Sequence, residues 1–139
     1  MDKTTAIKEK MKKVETKNAP AAAGHYSQGI IHNGLVFVSG QVATDPETGQ
    51  RLTGSIEEQT ERALRNVEAV LLAAGSDLSR VLKMTVYVSD IEYWGAVNAT
   101  YAKVLGDHRP ARAIIPVGDF SDGLKIEIEA IAAVREENA

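Results

Sequence analysis

SIEEQTERALRNVEAVLLAAGSDLSRVLKMTVYV, residues 55–88, is the stretch on which the fold turns. Ser55-Ile56-Glu57-Glu58 reads as a capping box: the serine hydroxyl accepts from the amide three residues on, and the glutamate reaches back. Ala63, Leu64, Val67, Val70, Leu71 and Ala74 then recur at helical spacing, so a helix over 56–74 lays one apolar face on a partner layer. Gly75 ends it, because glycine enters the left-handed region without a Cβ penalty. After the break the period changes to two: Leu82, Met84, Val86 and Val88 alternate with Lys83, Thr85 and Tyr87. That is a strand with one buried face.

Towards the C-terminus, Asp90 caps a second helix, roughly 91–105. Trp94, Val97, Tyr101, Val104 and Leu105 form its apolar stripe and Gly106 closes it. Ala111–Val117 is a strand, and Pro116, which donates no backbone hydrogen bond, demotes it to a sheet edge. Leu124–Val134 alternates, with Leu124, Ile126, Ile128 and Ala130 on one face and Lys125, Glu127 and Glu129 on the other. Towards the N-terminus, Asn33-Gly34 separates Ile30-Ile31-His32 from Leu35-Val36-Phe37-Val38. Both turn residues tolerate positive φ, as a type I′ hairpin turn requires. Asp45–Gly49 is a further turn. Residues 1–17 carry six lysines against three acids and little apolar periodicity, so residues 1–16 are expected as an exposed arm preceding one domain, 17–139.

The order β-β-α-β-α-β-β contains two strand–helix–strand units. It predicts an α+β domain: a mixed sheet with two helices on one face. The other face carries charged and β-branched side chains, which suggests partner contacts.

Bulk composition narrows the function classes. The chain has 139 residues, enough for one domain, with 44% hydrophobic and 25% charged residues. A net charge of −3 and a pI near 5.6 disfavour a dedicated nucleic-acid binder. The absence of cysteine removes disulfides, thiol nucleophiles and thiolate metal sites. No apolar run approaches a membrane span, and Ala19–Ala23 is too short for a signal-peptide core, so a cytoplasmic protein is expected.

No phosphate-binding Gly-Lys-Ser/Thr loop or dinucleotide fingerprint occurs. His25, His32 and His108 lie far apart, without the spacing of a helical metal site. Ser39 lacks the flanking glycine pattern of a nucleophile elbow. Two residues remain. Arg112, near the start of a strand, is either a salt-bridge partner or an anion clamp whose planar fork matches a carboxylate. Glu127, on a strand between two isoleucines, is either paired or working.

The segments Asn18–Ala22, Gly24-His25-Tyr26-Ser27-Gln28-Gly29, Val38-Ser39-Gly40-Gln41, Asn66-Val67, Val97–Tyr101, Arg109-Pro110-Ala111-Arg112-Ala113 and Lys125–Ala130 share an order and spacing with one family. The chain resembles the reactive-intermediate deaminases (RidA or YjgF), also labelled translation inhibitor or endoribonuclease L-PSP, over Lys17–Val134. The resemblance implies a chorismate-mutase-like homotrimer with sites in clefts between subunits. It implies cofactor-free hydrolysis of 2-iminopropanoate and 2-iminobutanoate to 2-oxo acids and ammonia, a form of metabolite damage control. Carried onto matching positions, it makes Arg112 the carboxylate clamp and Glu127 the holder of the attacking water. Tyr26, Ser39, Gly40 and the backbone of Ile114 become the substrate-binding residues.

Five positions depart from the family pattern. His25 stands where proline is usual, Ile114 replaces a frequent cysteine, Pro116 a frequent glutamate, and Phe120-Ser121 a frequent Leu-Pro. Those near the site bear on substrate choice. Two other readings are open: a related deaminase acting on another amino-acid-derived enamine, or a non-enzymatic module binding RNA, translation machinery or client proteins. The acidic charge balance and the lack of a basic, aromatic stacking surface weigh against the last.

Overall fold

The structure is a computed structural model and describes residues 10–136. Strands β1 (Lys12–Val14), β2 (Gly29–His32) and β3 (Leu35–Gln41) lead to helix α1 (Ile56–Ala73). Then follow β4 (Val81–Val88), α2 (Trp94–Leu105), β5 (Ala111–Pro116) and β6 (Ile126–Ala133). One six-stranded sheet has the order β1-β2-β3-β6-β4-β5. The pair β4–β5 is parallel, and the others are antiparallel. The mixed sheet and its proline-bearing edge strand β5 therefore follow the sequence pattern, as does the hairpin turn, with Asn33 at φ 51° and Gly34 at φ 79°.

Both helices pack on one face of the sheet. There Val36, Val38, Met84, Val86, Ile126, Ile128 and Ala132 meet Leu64, Val67, Val70, Leu71 and Val97 in a continuous core. The Ser55 hydroxyl accepts from the Glu58 amide at 3.1 Å and so caps α1. The Glu58 carboxylate accepts from the Ser55 hydroxyl at 3.4 Å instead of reaching the backbone, leaving the capping box half formed.

Three expectations are corrected. Lys12–Val14, placed in the arm, forms β1 and pairs with Gly29–Ile31, because Val14 has a place in the core; residues 1–9 lie outside the described residues. Leu82, expected inside, is 50% exposed. The ladder with β6 slips between Val81 and Lys83, so Val81 takes the buried position. Trp94, placed on the buried stripe of the second helix, is 45% exposed. A 3₁₀ turn at Ile91–Tyr93 precedes α2 and sets where that helix begins.

The second face of the sheet carries Phe37, Lys83, Thr85, Tyr87, Glu127, Glu129 and Ile131 along β3, β4 and β6. No helix of this chain covers it among the described residues. None of these helices is long and apolar enough to cross a membrane.

Candidate active site

Glu127 sits on β6, an interior strand, opposite Tyr87 of β4. Alternation turns Ile126 and Ile128 into the core and Glu127 to the uncovered face. Its carboxylate has no hydrogen-bond or ion-pair partner among the described residues. Burial pushes its pKa above the usual glutamate value, and the negative charge of Glu129 adds to the shift. Glu129 itself is tied down by the Tyr87 hydroxyl, which donates to it at 2.7 Å. Of the two readings open for Glu127, pairing is absent among the described residues: a half-buried carboxylate lies beside a second one.

The backbone makes room for it. β3 carries an irregularity between Val38 and Gln41, and Gly40 lies inside it. A Cβ on Gly40 would stand 2.7 Å from Glu127 Oε2 and 2.8 Å from its Cδ. Only glycine lets the carboxylate lie against this strand.

Glu127 and Gly40 line a cavity of about 580 Å³ together with Tyr26, Phe120 and Ser121. Tyr26 is 52% exposed, and its hydroxyl accepts from the Ala23 amide at 3.1 Å. The loop that bears it is organised by buried Gln28. The Gln28 side chain accepts from the Thr16 amide at 2.7 Å and donates to the Pro20 carbonyl at 2.8 Å. Ser39 serves the same loop: its hydroxyl donates to the Ser27 carbonyl at 2.6 Å, and its side chain is not part of the cavity wall. Buried Asn66 fixes the opposite wall by donating to the carbonyls of Val42 and Thr44 at 3.0 and 2.9 Å.

Arg112 is elsewhere. It pairs with Met84 across the parallel β4–β5 ladder and so lies on the helix face of the sheet. There it donates to Asn98 Oδ1 of α2 at 2.9 Å. Its guanidinium stands 4.7 Å from the centre of the Tyr101 ring and 5.7 Å from that of Trp94. No carboxylate of the described residues pairs with it. A guanidinium held by an amide and two rings, with donors left over and no acid among the described residues, can accept an anion. Ile114, two residues along, shares its face beside Val86 and does not line the cavity that holds Glu127.

The structure thus brings Tyr26, Gly40 and Glu127 together and sets Arg112 and Ile114 apart from them. Trp94 and Tyr101 were legible only as part of a helix stripe and Asn98 only within the Val97–Tyr101 segment, and their placement around Arg112 needed the relative placement of α2 and β5. Among the described residues no group of three or more His, Asp or Glu could hold a metal ion.

With this geometry in place, the likeness to known proteins acquires meaning. The family profile described as Endoribonuclease L-PSP matches residues 16–134. The chain belongs to this family, the YjgF/RidA proteins. It is 42% identical over 121 residues to the rat protein named 2-iminobutanoate/2-iminopropanoate deaminase, covering 87% of this chain and 88% of the relative. A crystal structure of a putative endoribonuclease from Thermotoga maritima superposes with a TM-score of 0.85 at 46% identity, covering 90% of this chain and 98% of the other. The E. coli protein TdcF with bound serine gives a TM-score of 0.84 at 35% identity, covering 89% and 99%. The mixed sheet with two helices is therefore the fold of the family, and the named relatives support deaminase chemistry.

Proposed function

We propose that this chain is a cytoplasmic homotrimer that hydrolyses 2-imino acids, such as 2-iminopropanoate and 2-iminobutanoate, to 2-oxo acids and ammonia. One observation carries the reading. Neither Arg112 nor Glu127 has an ion-pair partner among the described residues, and they face opposite sides of one sheet. Within a single chain they cannot meet on a small substrate. A neighbouring copy laid over the uncovered face would bring its Arg112 to this chain's Glu127, and a three-fold ring closes such a head-to-tail contact.

The chemistry asks for little more. The substrate is a short carboxylate with an electrophilic C=N carbon. Arg112 would hold the carboxylate by parallel charge-assisted hydrogen bonds, with Asn98 and the Tyr101 ring keeping the fork in plane. Glu127 would hold a water on the C2 face and take its proton as the C–O bond forms. Glu127 passes that proton to the imine nitrogen, giving the carbinolamine; it then takes the carbinolamine hydroxyl proton and delivers it to the same nitrogen, so that the C=O forms as the C–N bond breaks and ammonia leaves. A carboxyl whose pKa is raised by burial suits both halves of that exchange. Gly40 and Tyr26 would supply the walls, Ser39 would fix the Tyr26 loop, and the Ile114 backbone would complete the clamp side. The relative crystallised with serine supports a pocket for a small amino-acid-like carboxylate.

The test is a coupled assay. A pyridoxal-phosphate threonine or serine dehydratase generates the imine, and the purified protein should accelerate release of the 2-oxo acid. An unchanged rate would remove the enzymatic reading and favour a binding module.

A further inference from the structure

A second cavity, of about 510 Å³, opens between the C-terminal half of α2 and the start of β5. Arg112 lines it, and so does Arg109, three residues earlier on the far side of Pro110. Neither arginine has an ion-pair partner among the described residues, and no acidic side chain is among the lining residues. His108 stands between the strand and the rim, where its Nε2 donates to the Val81 carbonyl at 2.7 Å. That bond fixes the turn from which Arg109 projects.

An independent observation points to a ligand. Tyr101 is only 6% exposed and lines the same cavity, yet its hydroxyl has no hydrogen-bond partner among the described residues. A buried hydroxyl left unpaired is costly, and an anion's oxygen would satisfy it. Arg109, Arg112 and Tyr101 line one acid-free hollow. By contrast, the cavity holding Glu127 also contains Asp45 and Glu47.

We propose that this cavity is a dianion site, in which Arg112 takes one carboxylate and Arg109 a second. Resting on the deaminase reading above, it follows that the preferred substrate is a 2-imino dicarboxylic acid. A methyl or ethyl side chain leaves the second arginine idle, whereas a side-chain carboxylate gives it a fixed partner. Pro110 between them restricts the backbone and holds the spacing. Arg109 is exposed, so its replacement leaves the core intact.

The experiment has two arms. In the first, kcat/KM is measured on imines made in situ by enzymatic oxidation of aspartate and of alanine. The aspartate-derived imine should be favoured by about ten- to a hundredfold, the worth of one further hydrogen bond to a charged group. Arg109→Gln should erase that preference and Arg109→Lys should keep part of it. In the second arm, calorimetry compares succinate with propionate, without any reaction. Succinate should bind more tightly, and Arg109→Gln should abolish the difference. Equal kcat/KM for the two imines, or a preference that survives in Arg109→Gln, overturns the proposal. If neither imine is hydrolysed faster than in buffer, the deaminase reading and the substrate assignment fall together. The dianion site then stands only on tighter succinate binding, and equal affinity for the two acids ends it.

Discussion

Replacing Arg112 with lysine keeps the charge and removes the shape. The guanidinium has five donors, of which one nitrogen is engaged with Asn98 Oδ1 at 2.9 Å, and its plane is set by rings at 4.7 and 5.7 Å. The remaining donors can meet both oxygens of a carboxylate at once. A lysine ammonium offers a point charge on a flexible stem, stacks poorly on Tyr101, and cannot hold Asn98 and a bidentate acid together. One hydrogen bond to a charged group is worth roughly 1.5–3 kcal/mol. At about 1.4 kcal/mol per factor of ten, loss of one bond and loosening of the other lowers kcat/KM about ten- to several-hundred-fold. Arg112→Ala should lose more. Since Arg112 is paired with no acid of the described residues, neither variant strands a buried carboxylate, and both should keep the wild-type fold. The dehydratase-coupled assay reads kcat/KM, and thermal melting reads the fold. An Arg112→Lys protein with unchanged kcat/KM would refute the clamp. A variant that melts early but regains full turnover once folded would make Arg112 a structural residue.

Glu127→Gln should abolish most turnover while raising stability at neutral pH. Its carboxyl is pushed above the usual glutamate value of 4.5 first by burial and then by Glu129, so the folded state disfavours the ionised form. That penalty is fully present above the raised folded pKa, shrinks as pH falls through it, and is gone below the unfolded value, so the gain in melting temperature should vanish in acid. Wild-type activity should fall on its acid side at a pH above that usual value, and Glu129→Gln should move this limb downward; a limb that stays in place would remove Glu127 as the titrating group. Gly40→Ala forces Glu127 aside, since the added Cβ would stand 2.7 Å from Oε2, and should cost about tenfold or more in kcat/KM with little change in melting. Light scattering at micromolar concentration should give three times the chain mass, and a stable monomer would remove the shared site.

The elements were legible because the periods are clean. Ala63 to Ala74 recur on one helical face, Ile126 to Ala130 alternate, and Asn33-Gly34 names its own turn. Pro116 marked β5 as an edge, and the sheet places it there. What escaped was set by contacts distant in sequence. Lys12-Lys13-Val14 has too few residues to carry a period, and it becomes a strand only because β2 offers an unpaired edge and the core accepts Val14. Leu82 matched the alternation but lost its place to Val81 at a register slip that no local pattern encodes. In the site, Arg112 and Glu127 stood out as charges on strands. Sequence alone could not say whether each was paired, because that depends on what two other strands and a helix put beside it. Gln28 and Asn66 lay within recognisable segments, yet their work as buried clamps on the cavity walls emerged only from their partners.

The placement of Arg112 and Glu127 on opposite faces of one sheet allows a test that mutation in single chains cannot supply. If each catalytic centre takes Arg112 from one chain and Glu127 from the next, then Arg112→Ala and Glu127→Gln chains are each inactive alone but complementary together. In a mixed trimer, some clefts receive the intact arginine of the Glu127→Gln chain and the intact glutamate of the Arg112→Ala chain. Random assembly from equal amounts places one of each in about a quarter of the clefts, so unfolding the two variants together and refolding them should restore about a quarter of wild-type turnover. Refolding either variant alone should restore none. Mixing them without unfolding should regain activity only as fast as subunits exchange, which gives the control for contamination. A site completed within one chain predicts no recovery at any ratio, because every chain then carries a broken site. That outcome would also require Arg112 and Glu127 to reach one substrate around the edge of the sheet, which their placement on opposite faces of β5 and β6 opposes.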